Sequence, residues 1–98
     1  MRLEPQQVAA IREVVKANFG PDARVWLFGS RADDSLQGGD IDLYIETSLE
    51  HGLLDAKIDS KLALRKKIGD VPVDIVIRRF SAPPRGIQKI AIEEGVRL

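Results

Sequence analysis

Ninety-eight residues, with 15 basic and 15 acidic side chains, zero formal net charge and 44% hydrophobic residues, describe one small globular domain spanning 1–98. The absence of cysteine excludes disulfides and thiolate metal sites, and a single histidine, His51, excludes a multi-histidine zinc site. Net neutrality argues against direct nucleic-acid binding through counterion release. The N-terminus lacks the basic-then-apolar pattern of a signal peptide, and no apolar stretch is long enough to span a bilayer. A cytoplasmic protein away from membranes is the expectation.

The first element is a helix. Pro5 suits a first helical turn, and Val8, Ile11, Val15 and Phe19 recur at steps of three and four, so 5–18 reads as amphipathic helix. Gly20-Pro21-Asp22 ends it. Arg24 to Phe28 is a short, nearly continuous apolar run, which predicts a strand buried on both faces with Trp26 and Phe28 in the core. Gly29-Ser30 closes that strand, and Ser30 is expected to cap a short helix. Residues 33–39 read as loop, with Gly38-Gly39 giving backbone freedom before the next strand.

Asp40 to Ile45 alternates. Ile41, Leu43 and Ile45 face one way; Asp40, Asp42 and Tyr44 face the other. A helix over about 51–68 follows, with Leu54, Ile58 and Leu62 as its stripe and Gly69 as its stop. Strand three, 71–78, alternates again and sets Asp74 opposite Val73, Ile75 and Ile77. After Pro83-Pro84, residues 86–94 form a last short helix. The order α-β-α-β-α-β-α predicts an α/β or α+β domain: a small three-stranded sheet, its helices on one face and its carboxylates on the open face.

Residues i and i+2 of a strand share a face, about 6–7 Å apart at Cα. Asp40 and Asp42 are therefore placed to reach one metal or share it, and Asp74 joins them if strand three lies beside strand two. Three converging carboxylates repel, which raises the pKa of at least one. A divalent cation relieves this, and oxygen-only ligands favour magnesium, or manganese, over zinc. The Gly29-Ser30 turn supplies close backbone approach and a hydroxyl for phosphate. Arg31 either contacts phosphate or pairs with Asp33 or Asp34. Jointly these parts point to metal-dependent phosphoryl or nucleotidyl transfer, with Asp40, Asp42 and Asp74 as metal and catalytic acids and Gly29, Ser30 and Arg31 on the nucleotide.

The run Phe28-Gly29-Ser30, nine residues, Asp40-Ile41-Asp42-Leu43, then Val73-Asp74-Ile75, resembles the signature of the DNA polymerase beta nucleotidyltransferase superfamily, and more narrowly its minimal nucleotidyltransferases. The resemblance implies a mixed-sheet nucleotidyltransferase fold. It also implies phosphate contacts from Gly29 and Ser30, metals on Asp40 and Asp42, and Asp74 assisting the attacking hydroxyl. It further implies an antitoxin that moves AMP from ATP, or the corresponding monophosphate from another NTP, onto a tyrosine of a HEPN-domain toxin within a hetero-oligomer. Two departures stand out: Gly39 replaces the serine common before the first aspartate, and the loop is short. A chain of this length is expected to take its acceptor from a partner. The competing readings are an antitoxin that neutralises its partner by occlusion alone and a subunit of a nucleic-acid-processing assembly.

Overall fold

The computed structural model describes residues 1–98. Its elements are α1 (Pro5–Phe19), β1 (Arg24–Phe28), a single 3-10 turn (Gly29–Arg31), β2 (Ile41–Thr47), α2 (Leu53–Ile68), β3 (Val73–Arg79), α3 (Ile87–Glu94) and β4 (Val96–Arg97). Pro5 opens α1 as expected, and the Gln7 side chain accepts the Glu4 N–H. No helix is long and apolar enough to cross a membrane.

The sheet has four strands in the order β3-β2-β1-β4. β1 pairs antiparallel with both β2 and β4, whereas β2 and β3 are parallel. A parallel pair needs a crossover, and α2 provides it. The fourth strand corrects the three-stranded expectation. It is two residues long, and only long-range pairing with Trp26 and Leu27 defines it.

One face of the sheet holds the core. Val25, Leu27, Ile41, Leu43, Ile45, Val73 and Ile75 meet Ile11, Val14, Val15 and Phe19 of α1 and Ala56 and Leu64 of α2. β1 alternates rather than burying both faces: Val25 and Leu27 are core, while Trp26 and Phe28 lie half-buried on the other side. That second face is not left open. β3 and β4 lie at opposite edges, so the chain between them must cross a face, and α1 and α2 already occupy the first. Arg78 reaches over to the Ala82 carbonyl, Gln88 donates to the Ile77 carbonyl at 3.4 Å, and α3 packs against β1 with Ala91 buried. The helices therefore divide two to one between the faces.

The stripe of α2 is also inverted relative to expectation. Ala56, Ser60 and Leu64 are buried, and Leu54, Ile58 and Leu62 are exposed. The two faces are nearly balanced in apolar content, and the small Ala56 and Ser60 let α1 and α2 approach closely. Packing against a neighbour decides between two such faces; periodicity alone does not.

Candidate active site

Parallel register sets Asp42 directly beside Asp74. Residues paired across a ladder point to the same face, so two carboxylates stand side by side at the start of β2 and β3. Asp40 lies just before β2, exposed, where the expectation had it inside the strand. Asp74 is exposed and Asp42 half-buried. Burial, then the charges of Asp74 and Asp40, push the Asp42 carboxyl above its ordinary range. The acids are gathered but not closed into a ready-made cage of three metal ligands. Their chemistry fits a hard divalent cation: every donor is a carboxylate oxygen, and added positive charge would relieve the repulsion felt by Asp42.

The Gly29-Ser30 turn abuts this pair. Phe28, the last residue of β1, is in register with Asp42. Gly29 follows at φ +75°, and a Cβ there would lie 3.1 Å from Asp42 Cγ and closer still to its Oδ2. Ser30 is not the cap of a helix as expected. It sits inside one 3-10 turn whose N-cap position is Phe28. A single turn carries little macrodipole, so any phosphate affinity here rests on N–H groups and the Ser30 hydroxyl. Gly38, at φ +152°, packs on Ser30; a Cβ there would come within 3.1 Å of Ser30 Cβ.

Arg31 pairs with neither Asp33 nor Asp34. Its Nε and Nη2 donate to the Gly39 carbonyl at 3.0 and 2.9 Å, and Nη1 donates to the Arg2 carbonyl at 2.9 Å. The guanidinium thus ties the residue preceding Asp40 to the N-terminal segment. Arg2 returns the contact, its N–H donating to the Arg31 carbonyl at 2.8 Å and Nη2 to the Ser30 carbonyl at 3.0 Å. Asp33 accepts from the Ser35 N–H and hydroxyl, which holds its carboxyl below the usual range. Asp34 accepts from the Met1 amine at 2.8 Å.

Turn, paired acids and clamped loop thus meet at one end of β1, β2 and β3. Over residues 8–98 the chain matches the family model of the nucleotidyltransferase domain. It belongs to that family. No curated protein matches it significantly. The nucleotidyltransferase domain brings nucleotidyl transfer as its general activity, with a nucleoside triphosphate as donor.

Two features of this nucleotidyltransferase domain escape a reading of the sequence. The first is a cleft of about 620 Å³ beside the turn, lined by Phe28, Gly29, Ser30, Leu36, Ile87 and Ile90 among others. Leu36, Ile87 and Ile90 are each 51% exposed. Ile87 and Ile90 of α3 wall an open apolar surface that runs up to the Gly29-Ser30 turn. The second is a polar knot below the acids. Tyr44 donates to Glu46 at 2.8 Å, Arg78 Nε donates to the Tyr44 hydroxyl at 2.8 Å, and Arg78 Nη2 donates to Glu46. Burial alone would raise the Glu46 carboxyl, but Arg78, Tyr44 and the nearby Arg24 outweigh it and hold it low. Of Arg78, Arg79 and Arg85, Arg78 is therefore a structural partner. Only Arg85 of the three stays free; Arg79 pairs with Glu50 at 3.3 Å.

Proposed function

We propose that the domain transfers a nucleoside monophosphate, AMP from ATP, to a hydroxyl of a partner protein, and that it serves in the cytoplasm as the antitoxin of a HEPN-type toxin in a hetero-oligomer. The observation that carries the chemical part is the side-by-side placement of Asp42 and Asp74 against the Gly29-Ser30 turn. Asp40, Asp42 and Asp74 would hold the metal, magnesium or manganese. When bound, a divalent cation supplies the positive charge that a triphosphate and a leaving pyrophosphate require.

In this reading the Gly29 and Ser30 N–H groups and the Ser30 hydroxyl bind phosphate oxygens. Arg31 acts one step away, fixing the Gly39 carbonyl and so the approach of Asp40. The acceptor oxygen attacks the α-phosphorus, the bond to the bridging oxygen breaks, and pyrophosphate leaves. Asp74, exposed at the edge of the cluster, takes the acceptor proton. The contribution of the chain is positioning and electrostatics, with no covalent intermediate. The apolar cleft gives an acceptor side chain or a nucleobase a surface next to the reacting phosphate.

The test is intact-mass analysis of a candidate HEPN-type partner after incubation with ATP, magnesium and either wild type or Asp40→Ala/Asp42→Ala. The proposal expects a nucleotide adduct with wild type alone. Equal neutralisation of the partner by both proteins, without an adduct, would replace catalysis by occlusion.

A further inference from the structure

β3 is an edge strand, with β2 on one side and no strand on the other. The Ile41 N–H donates to the Pro72 carbonyl at 2.9 Å, which fixes the phase of the parallel ladder. The backbone groups of Asp74, Val76 and Arg78 therefore turn toward β2, and those of Val73, Ile75 and Ile77 turn outward. At its far end this outer edge is closed. The Ala82 N–H takes the Arg79 carbonyl at 3.0 Å, and Gln88 donates to the Ile77 carbonyl at 3.4 Å. No loop or side-chain hydrogen bond reaches Val73 or Ile75. The bare stretch is thus the end that carries Asp74.

An open edge is a template for a further strand, and the surroundings of this one say which kind. Leu54, Ile58, Lys61 and Arg65 follow one another at steps of four, three and four, so they share one face of α2. Lys61 and Arg65 line a cavity of about 370 Å³ together with Val71, Pro72 and Val73, so that face overlooks the bare edge. Leu54 and Ile58 on it are 69% and 47% exposed. Lys57 and Lys61 have no acidic partner, whereas Arg65 is taken by Asp70. On the opposite face of the sheet, Asp74 is exposed. A strand added here would alternate. Its side chains toward α2 would meet aliphatic groups and free ammonium groups, and one of those on the other face would stand beside Asp74, about 5 Å away across the ladder.

We infer that the outer edge of β3, from Val73 to Ile77, docks an extended segment of the partner protein that is apolar and acidic on the side toward α2 and carries the acceptor hydroxyl on its other side, next to Asp74. The acceptor role rests on the nucleotidyl-transfer reading; the docking does not. Backbone hydrogen bonds along the edge supply affinity, and the α2 flank supplies selectivity. The exposed Leu54 and Ile58 gain an occupant in the same step. A second copy fits worse. Two-fold pairing of the bare stretch about Ile75 would set the two Asp74 carboxylates diagonally across the new ladder, like charge near like charge.

The test follows backbone amides of the isotope-labelled protein by NMR hydrogen exchange while probe peptides are added. The probes are two pools of peptides of about ten residues, long enough to cover the edge. Alternate positions carry threonine and a central tyrosine; the others carry valine mixed with glutamate in one pool and with lysine in the second. The glutamate pool is expected to protect the Val73, Ile75 and Ile77 amides, and the lysine pool to bind at least about tenfold more weakly. Lys61→Glu, at an exposed position, should reverse that preference. Ile77→Pro removes an outward N–H on an edge strand, where proline is tolerated, and should weaken binding at least about tenfold, with circular dichroism to follow folding. Protection confined to other amides, none with either pool, or equal binding of both pools would overturn the inference. So would protection of β3 that grows with protein concentration alone, the mark of a second copy. ATP and magnesium added to the same sample report separately through the Gly29 and Ser30 amides. No response there, with β3 still protected by peptide, would end the nucleotidyl-transfer reading and the acceptor role with it; a response there with β3 unprotected would end the docking inference alone.

Discussion

Gly29 lies against the Asp42 carboxylate with no room for a side chain between them. Glycine at this turn therefore lets Asp42 stand where it does, a role separate from the phosphate contact proposed for it. Gly29→Ala meets two obstacles, a left-handed φ of +75° and the carboxylate itself. The backbone term alone costs about 1–2 kcal/mol. Displacing Asp42 by a fraction of an ångström is expected to lower kcat about a hundredfold. Thermal unfolding and steady-state kinetics on the same preparation separate the two effects: the loss in rate should far exceed the loss in stability.

Asp42 should be a site where activity opposes stability. Its carboxyl is raised in the folded protein, from 3.8 upward, by burial and by Asp74 and Asp40. Between the two values the folded state holds more proton than the unfolded state, so stability falls as pH rises through that window. Above the window the ionised group is a standing cost. Asp42→Asn is thus expected to raise Tm at pH 7, with a gain that disappears below pH 3.8, while abolishing transfer. Magnesium should raise the Tm of wild type more than that of Asp42→Asn. Melting curves at several pH values, with and without the ion, check all three points.

Glu46 runs the other way. Its carboxyl is 3% exposed and held low by Arg78 and Tyr44 against the opposing effect of burial. A depressed carboxyl contributes stability above the unfolded value, 4.5, and loses it as pH falls through the folded value. Removing the guanidinium leaves Glu46 to the more distant Arg24, so Arg78→Ala should cost about 3 kcal/mol at pH 7. The deficit should shrink in acid as Glu46 becomes protonated. Urea unfolding at pH 7 and pH 3.5 measures it.

Three of the four strands and three helices were legible in the sequence, because alternation and helical spacing are local signals. The gathering of Asp42 with Asp74 was conditional on β3 lying beside β2, which the parallel pairing supplies. What was not legible depended on distant partners. β4 is a strand only because Trp26 and Leu27 pair with it, and the inward face of α2 is chosen by α1. The chain from β3 to β4 covers the second face only because those strands fall at opposite edges. Within the site, the positions of Gly29 and Ser30 beside the acids could be inferred, but the Arg31 grip on Gly39 could not. Arginine beside a phosphate turn reads equally well as a ligand or as a clamp until its hydrogen bonds are seen.

That grip is itself testable. Arg31→Ala removes three hydrogen bonds to backbone carbonyls at the rim of the site. It should cost about 1–2 kcal/mol and loosen Asp40, lowering kcat about tenfold. Arg31→Lys should not restore activity, because an ammonium cannot span the Gly39 and Arg2 carbonyls together. By contrast, a Cβ at Gly39 meets nothing within 4 Å. Gly39→Ser is therefore expected to fold as stably as wild type, within about 0.5 kcal/mol, and to increase nucleotide affinity. Unfolding and nucleotide titrations of the three variants give the answer.

The central claim is that the Asp40, Asp42 and Asp74 cluster transfers the α-phosphorus of a nucleoside triphosphate together with its nucleoside. ATP labelled at the α position and, in parallel, at the γ position is incubated with the protein, magnesium and the partner. The account predicts that α-label becomes protein-bound, that γ-label leaves in pyrophosphate, and that Asp42→Asn stops both. Protein-bound γ-label, or α-label transfer that survives Asp42→Asn, would contradict it.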